Sequence, residues 1–254
     1  WNRTRAKAEP LSGKTARVVD APKDLATVDV LFTMVATGAD VDEVLFGPSG
    51  VAPGGKGKLP KIIVACSSIS VEESADLRKK VEAAGSQFLA APVSGNGKTI
   101  KAGKLSSVVS GPKSAYDVAK PYIETYAIRG VSYVGEGELS RICKIAHNVM
   151  LGVVIANLAE ITILANKYGV PRHAFLEFMN NSAMGSIFTR YKSNAFVNLD
   201  FTTTFTPELL RKDLDLGLDA GSELEVPMPV TAAARELVQM HFGAARLKPD
   251  PEAY

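Results

Sequence analysis

Apolar residues in the first half of the chain fall into short, nearly unbroken runs separated by stretches with helical spacing. The runs ARVVD (16–20), DVLFTMV (29–35), KIIVACS (61–67), QFLAAPV (87–93) and LSSVVSG (105–111) predict strands. Continuous, β-rich apolar runs suit strands that are covered on both faces. Between them, VDEVLFG (41–47), SVEESADLRKKVEAAG (70–85) and PKSAYDVAKPYIETY (112–126) predict helices. Ser70 with Glu73 three positions on has the form of a capping box, which marks a helix start. Glycine and proline punctuate FGPSGVAPGGKGKLP (46–60), predicting a surface loop. Strands alternating with helices predict a right-handed parallel α/β sheet.

From about Leu139 the strand signals stop. One helix is predicted from there to about Tyr168, about 45 Å long at 1.5 Å per residue. Gly169 closes it and Pro171 opens the next, the usual asymmetry of helix ends. Further helices are predicted near 171–180, 207–222 and 227–242. The expected architecture is an α/β half joined by one long buried helix to an all-α half, with no repeat or low-complexity tract. The segment IAHNVMLGVVIANLAEITILA (145–165) is long enough for a bilayer. His147, Asn148, Asn157 and Glu160 interrupt it, which would be costly in lipid. It reads as the central helix of a soluble protein or a subunit interface, so no membrane partner is expected.

Composition adds bounds rather than chemistry. The chain has 254 residues, 46% hydrophobic and 22% charged, enough to bury a large core in one big domain or two modest ones. Its 29 basic and 27 acidic residues leave a net charge of +2, which gives no reason to expect nucleic acid or a charged membrane as partner. Cys66 and Cys143 both lie in apolar runs and read as buried, reduced thiols in a cytoplasmic protein. The three histidines, His147, His173 and His241, are scattered, and no metal is expected.

The sharpest question comes from CKIAHNVMLG (143–152). Lys144 and, one helical turn on, Asn148 stand on a helix otherwise made for burial. A lysine snorkelling along an apolar helix is the ordinary reading. Other stretches change it. NRT (2–4), CSSIS (66–70), APVSGN (91–96), KIAHN (144–148) and LLRKDLDLGL (209–218), taken in order, resemble the β-hydroxyacid dehydrogenase family, whose members include 3-hydroxyisobutyrate dehydrogenase and the tartronate and succinic semialdehyde reductases. The resemblance covers nearly the whole chain.

It implies a Rossmann-like, NAD(P)-binding parallel-sheet domain over 1–136. An all-α domain over 137–254 would carry the substrate-site and oligomerisation helix. The implied activity is hydride transfer between NADP(H), with NAD(H) as the alternative, and a small 3-hydroxy acid or semialdehyde. Lys144 stands at the position of the family's acid/base, and Asn148 where an asparagine helps hold the substrate. Hydride reduction of an aldehyde builds negative charge on oxygen, which an ammonium can stabilise and protonate. In reverse, a partly desolvated lysine could take the alcohol proton. Ser94, Gly95 and Asn96 would receive a short carboxylate-bearing substrate with a hydroxyl and backbone amides. The family usually has a second glycine where this chain has Asn96. His147 reads as packing.

On the cofactor side the resemblance implies Asn2, Arg3, Thr4, Val35, Ala36, Ser68 and Lys212. Ser68 replaces the family's usual threonine, and Ala65 stands where an acid is usual. Arg3 follows the strand whose end holds the adenosine ribose, and its forked guanidinium could pair with the 2′-phosphate of NADP. In the family, NRT follows the second strand of the dinucleotide fold, with a G-x-G-x-x-G turn about 20–30 residues earlier. That turn does not occur in this sequence. The expectation is therefore a Rossmann-like domain incomplete at its N-terminus, lacking the first β-α unit, with weak dinucleotide binding. A homodimer or homotetramer built on the long helix is expected. An imine reductase-like enzyme and a non-catalytic oligomerising relative are the alternatives. Phe205 and the stretch 179–186 are candidates for shaping the substrate pocket.

Overall fold

The structure, a computed structural model, describes residues 1–13, 16–95, 97–200 and 202–245. The chain divides into two units, Trp1–Lys144 and Ile145–Tyr254. The division falls inside the long helix, beyond the 136/137 boundary read from sequence. The first turn of that helix is hydrogen-bonded to the sheet of the first unit, through Ser140 and Arg141.

The first unit is built on three parallel strands, β1 (Val30–Thr33), β2 (Ile62–Ala65) and β3 (Gln87–Ala90), paired in that order. Every residue of β2 is buried, and alternate side chains enter opposite cores. Ile63 and Ala65 join one cluster with helices α1 (Gly38–Phe46) and α2 (Val71–Ala83). Ile62 and Val64 join the other, whose helical side is α4 (Lys113–Tyr126). Two covered faces explain why the strand reads as an unbroken apolar run. Both α1 and α2 start in reciprocal capping boxes, Thr37 with Asp40 and Ser70 with Glu73.

The sheet is not uniformly parallel, as the alternation of elements had predicted. After β3 the chain passes through β4 (Val93–Ser94) and the short helix α3 (Gly97–Lys101) into β5 (Ser106–Val109). Strand β5 runs antiparallel to β4 and parallel to β6 (Gly130–Tyr133). An antiparallel bridge, Ala90↔Ser110, joins β3 to the end of β5. The chain reverses direction between β4 and β5, so that pair is antiparallel, whereas β6 is reached from β5 by a helical crossover through α4 and pairs parallel. The strand predicted over 16–20 does not form. Among the described residues there, Ala16 makes one isolated bridge with Ser12, and Val18 and Val19 are half-buried. β-Branched residues become a strand only where a partner satisfies their backbone groups. The loop expected over 46–60 is partly internal. Val51, Ala52 and Leu59 are buried in the core, and the amides of Val51 and Ala52 donate to the carbonyls of Val44 and Leu45.

Helix α5 (Leu139–Tyr168) runs from the first unit into the second, which also holds α6 (Arg172–Asn181), α7 (Ile187–Asn198), α8 (Pro207–Glu223) and α9 (Pro229–Ala245). No helix was predicted at α7. Its start signal is the weaker pair Ser186 and Thr189 and its body is polar. Within the second unit, glycines bring α5 and α8 close together. A Cβ on Gly217 would lie 2.3 Å from Val149 Cγ2, and one on Gly152 would lie 2.9 Å from Leu214 Cδ2. By length and composition α5 is apolar enough to cross a membrane, with mean hydropathy 1.8 over its most apolar window. Only 28% of that window is buried within the chain, less than expected of a fully buried core helix.

Candidate active site

The carboxyl ends of β1 and β2 turn directly into the N-termini of α1 and α2. The first turn carries Val35 and Ala36, the second Ser67 and Ser68. One side chain ties the turns together. Ser67 Oγ donates to the Val35 carbonyl (2.7 Å) and accepts from the Val35 amide (3.1 Å). Ser67 is buried, Val35 and Ser68 are half-buried, and Ala36 is exposed. The N-terminal segment reaches the same helix start from outside. Arg3 donates to Asp40 Oδ1 at 2.5 Å, and Thr4 donates its amide to Asn2 Oδ1 at 2.9 Å. The Arg3 hydrogen bond, followed by that of Thr37, holds the Asp40 carboxyl below its ordinary value.

Ser94 ends β4 half-buried, and Gly95 follows it exposed. Gly95 has φ +143°, a conformation side chains rarely adopt. A Cβ there would lie 2.3 Å from Thr99 Oγ1 and 2.7 Å from Leu105 Cδ1. The turn therefore requires glycine. Asn96 lies outside the described residues.

Arg141, three residues before Lys144, escaped the sequence reading. It is 1% exposed. Its Nε donates to Ser74 Oγ (2.9 Å), one terminal nitrogen to the Ser67 carbonyl and the other to the Ala65 carbonyl (3.2 Å). Burial pulls its guanidinium down to about 10. The only signal in the sequence was a charge inside an apolar helix start. Lys144 stands one turn along α5 and is half-buried. Of the two cysteines expected to be buried, Cys66 is, with Sγ 3.6 Å from the Tyr126 hydroxyl. Burial pushes both the thiol and the phenol up. Cys143 is exposed, because in the α5 repeat it faces away from the side that buries Arg141 and Ile145.

In the second unit, Asn148 and Asp213 are 7% and 5% exposed. Asn148 Nδ2 donates to Asp213 Oδ2 at 2.6 Å. With the amide oriented by that carboxylate, its oxygen faces His147 Nδ1 at 2.9 Å. This network assigns the hydrogen to His147 Nδ1. His147, expected to pack, is exposed and serves this contact. Lys212 Nζ lies 3.3 Å from Asp213 Oδ1, with its side chain 42% exposed. Lys144 and Asn148 are one turn apart on α5 and so share one side of that helix. The structure thus gathers Val35 with Ser67 and Arg141 in the first unit, and Asn148 with His147, Asp213 and Lys212 in the second.

Residues 1–135 match the model of the NAD-binding domain of 6-phosphogluconate dehydrogenase. Residues 138–252 match that of the NAD-binding domain of NADP-dependent 3-hydroxyisobutyrate dehydrogenase. The chain belongs to the β-hydroxyacid dehydrogenase family. Relatives of this chain include the chloroplastic glyoxylate/succinic semialdehyde reductase 2 of Arabidopsis thaliana, 30% identical over 94% of this chain and 66% of the relative. The 2-(hydroxymethyl)glutarate dehydrogenase of Eubacterium barkeri is 31% identical over 85% of this chain and 71% of its own. The cytokine-like nuclear factor N-PAC of Homo sapiens is 28% identical over 93% of this chain but 42% of its own length. The chain therefore spans about two thirds of the plant reductase and under half of N-PAC. Among solved structures, 3-hydroxyisobutyrate dehydrogenase from Salmonella typhimurium superimposes with a TM-score of 0.77 at 26% identity, covering 88% of this chain and 78% of that one.

The nicotinamide end of the dinucleotide implied by these family models fits the turns after β1 and β2 in the first unit. At the carboxyl ends of parallel strands, where such ligands bind, the chain offers small side chains at Val35 and Ala36 and a hydroxyl at Ser68. A planar ring can approach that backbone closely.

Proposed function

We propose that this member of the β-hydroxyacid dehydrogenase family interconverts a short semialdehyde and its 3-hydroxy acid, using a nicotinamide dinucleotide that supplies or accepts the hydride. The observation that carries the proposal is the pairing of Lys144 and Asn148 one turn apart on α5, with Asn148 held by a buried carboxylate. Lys144 Nζ donates a proton to the oxygen on which charge develops, and takes it back in the oxidative direction. Asn148, held by Asp213, helps hold a substrate oxygen. The Ser94 hydroxyl and the Gly95 amide receive the substrate carboxylate, and Val35, Ala36 and Ser68 border the nicotinamide. Asn2, Arg3 and Thr4 lie toward the adenosine end, where the fork of Arg3 favours NADP over NAD. The proposal includes a homodimer or homotetramer built on α5, whose Met150, Ile163 and Leu164 are exposed in the single chain.

The test is turnover of succinic semialdehyde and glyoxylate by the full-length protein with NADPH and NADH, beside Lys144→Ala. The variant should lose about 10²–10⁴-fold in kcat while its dinucleotide Kd stays within about threefold. Turnover near wild type in Lys144→Ala rules out the acid/base role. A wild type that neither turns over nor binds dinucleotide favours a non-catalytic relative.

A further inference from the structure

We propose that Arg141 is a positioning residue that holds the turns after β1 and β2 in place against the first turn of the helix carrying Lys144. Its consequence for turnover rests on the function proposed above; the clamp itself does not.

All three guanidinium nitrogens go to the stretch that runs from the last residue of β2 into the first turn of α2: the Ala65 and Ser67 carbonyls and the Ser74 hydroxyl. Arg141 therefore grips that turn from both ends, with Ser68 in the middle. The grip extends to the neighbouring turn, because Ser67 Oγ both donates to and accepts from the backbone of Val35. One side chain on α5 thus holds the turn after β2 directly and the turn after β1 through Ser67, and Lys144 follows it by a single helical turn.

Attachment of α5 to the sheet does not need Arg141. Ser140 does that separately: its Oγ donates to the Ala90 carbonyl (2.8 Å), and both its Oγ and its amide are met by Ser110 Oγ (2.8 and 3.0 Å). Arg78 adds a second tie, donating to Glu138 (2.6 Å) and to the Gly137 and Phe88 carbonyls (2.7 and 2.9 Å). Nor is Arg141 an economical way to fill space. A guanidinium buried among carbonyls and a hydroxyl bears a desolvation cost that an apolar side chain of similar volume avoids. What the planar fork adds is geometry: donors in fixed directions to three acceptors at once. Proximity effects in hydride and proton transfer are steep in distance and angle, so a fork locking both turns to the lysine's helix acts on orientation.

The variants are Arg141→Lys, which keeps a charge but loses the fork, and Ser67→Ala, which buries no new charge and cuts only the link to Val35. Both are made in the full-length protein. Hydrogen exchange of the unliganded protein is read first. In Arg141→Lys, amides in 34–37 and 66–70 should exchange about tenfold faster or more, while those of 106–109 hold at the wild-type rate. In Ser67→Ala the change should be confined to 34–37. In Arg141→Lys, kcat should then fall by about tenfold or more with the dinucleotide Kd within about threefold. An even rise in exchange across the whole first unit reduces Arg141 to general stability and overturns the proposal. So does unchanged exchange in the two turns. Should Arg141→Lys fail to fold, Ser67→Ala decides: unchanged exchange at 34–37 overturns the coupled clamp. Local loss of protection together with a wild type that never turns over supports the clamp and overturns the reaction instead.

Discussion

The hydrogen bond from Asn148 to Asp213 carries a measurable energy. Both partners are nearly fully buried, and at 2.6 Å the bond joins an amide to a carboxylate. Bonds of this charge-assisted kind contribute roughly 1.5–3 kcal/mol net, and leaving a buried partner unsatisfied costs a similar amount. Asp213→Ala also removes the Lys212 contact, but Lys212 is 42% exposed, so that pair adds at most about 1 kcal/mol. The single variants Asn148→Ala and Asp213→Ala should each lose roughly 2–4 kcal/mol. The double variant should lose less than their sum, by a coupling of roughly 1.5–3 kcal/mol. Asp213→Asn keeps an acceptor without the charge and should lose about 1 kcal/mol. The assay is urea unfolding followed by far-ultraviolet circular dichroism, which reports the helices of both units, with slopes checked for constancy. In turnover, Asp213→Asn should raise the substrate KM more than it lowers kcat, because it loosens Asn148 and leaves Lys144 in place. A coupling below about 0.5 kcal/mol would refute the view that Asp213 orients Asn148.

Gly95→Ala places a Cβ 2.3 Å from Thr99 Oγ1 at φ +143°. It should cost about 1–3 kcal/mol and raise the substrate KM with dinucleotide affinity intact; a wild-type KM would exclude this turn from carboxylate binding. Arg3→Ala should lower kcat/KM for NADP relative to NAD, and an unchanged ratio would exclude Arg3 from the 2′-phosphate. The same variant has a pH signature. Arg3 depresses the folded Asp40 carboxyl below its ordinary 3.8, so its contribution is present above that value and is lost as pH falls through the lower folded one. Wild-type and Arg3→Ala stability, measured by unfolding between pH 6 and pH 2, should converge as the solution is acidified; a gap constant with pH would contradict the ion pair.

Local pattern alone determined much of this molecule. The unbroken apolar runs at β1, β2 and β3, the capping boxes at α2 and α5's thirty-residue length were all legible, because each depends on residues within a few positions of one another. The one-turn spacing of Lys144 and Asn148 was legible for the same reason. The tertiary structure decided what depended on distant partners. Residues 16–20 have strand-forming side chains, but among the described residues no neighbouring strand pairs with them. The β3–β5 return set an antiparallel pairing that no periodicity encodes. Asp213 lies 65 residues from the amide it holds, and Arg141 reaches acceptors 67–76 residues away. A buried charge is tolerable only where folding assembles its acceptors around it, and those acceptors here are mostly backbone carbonyls. Every residue carries a carbonyl, so nothing in the letters of the sequence could mark which ones Arg141 would find.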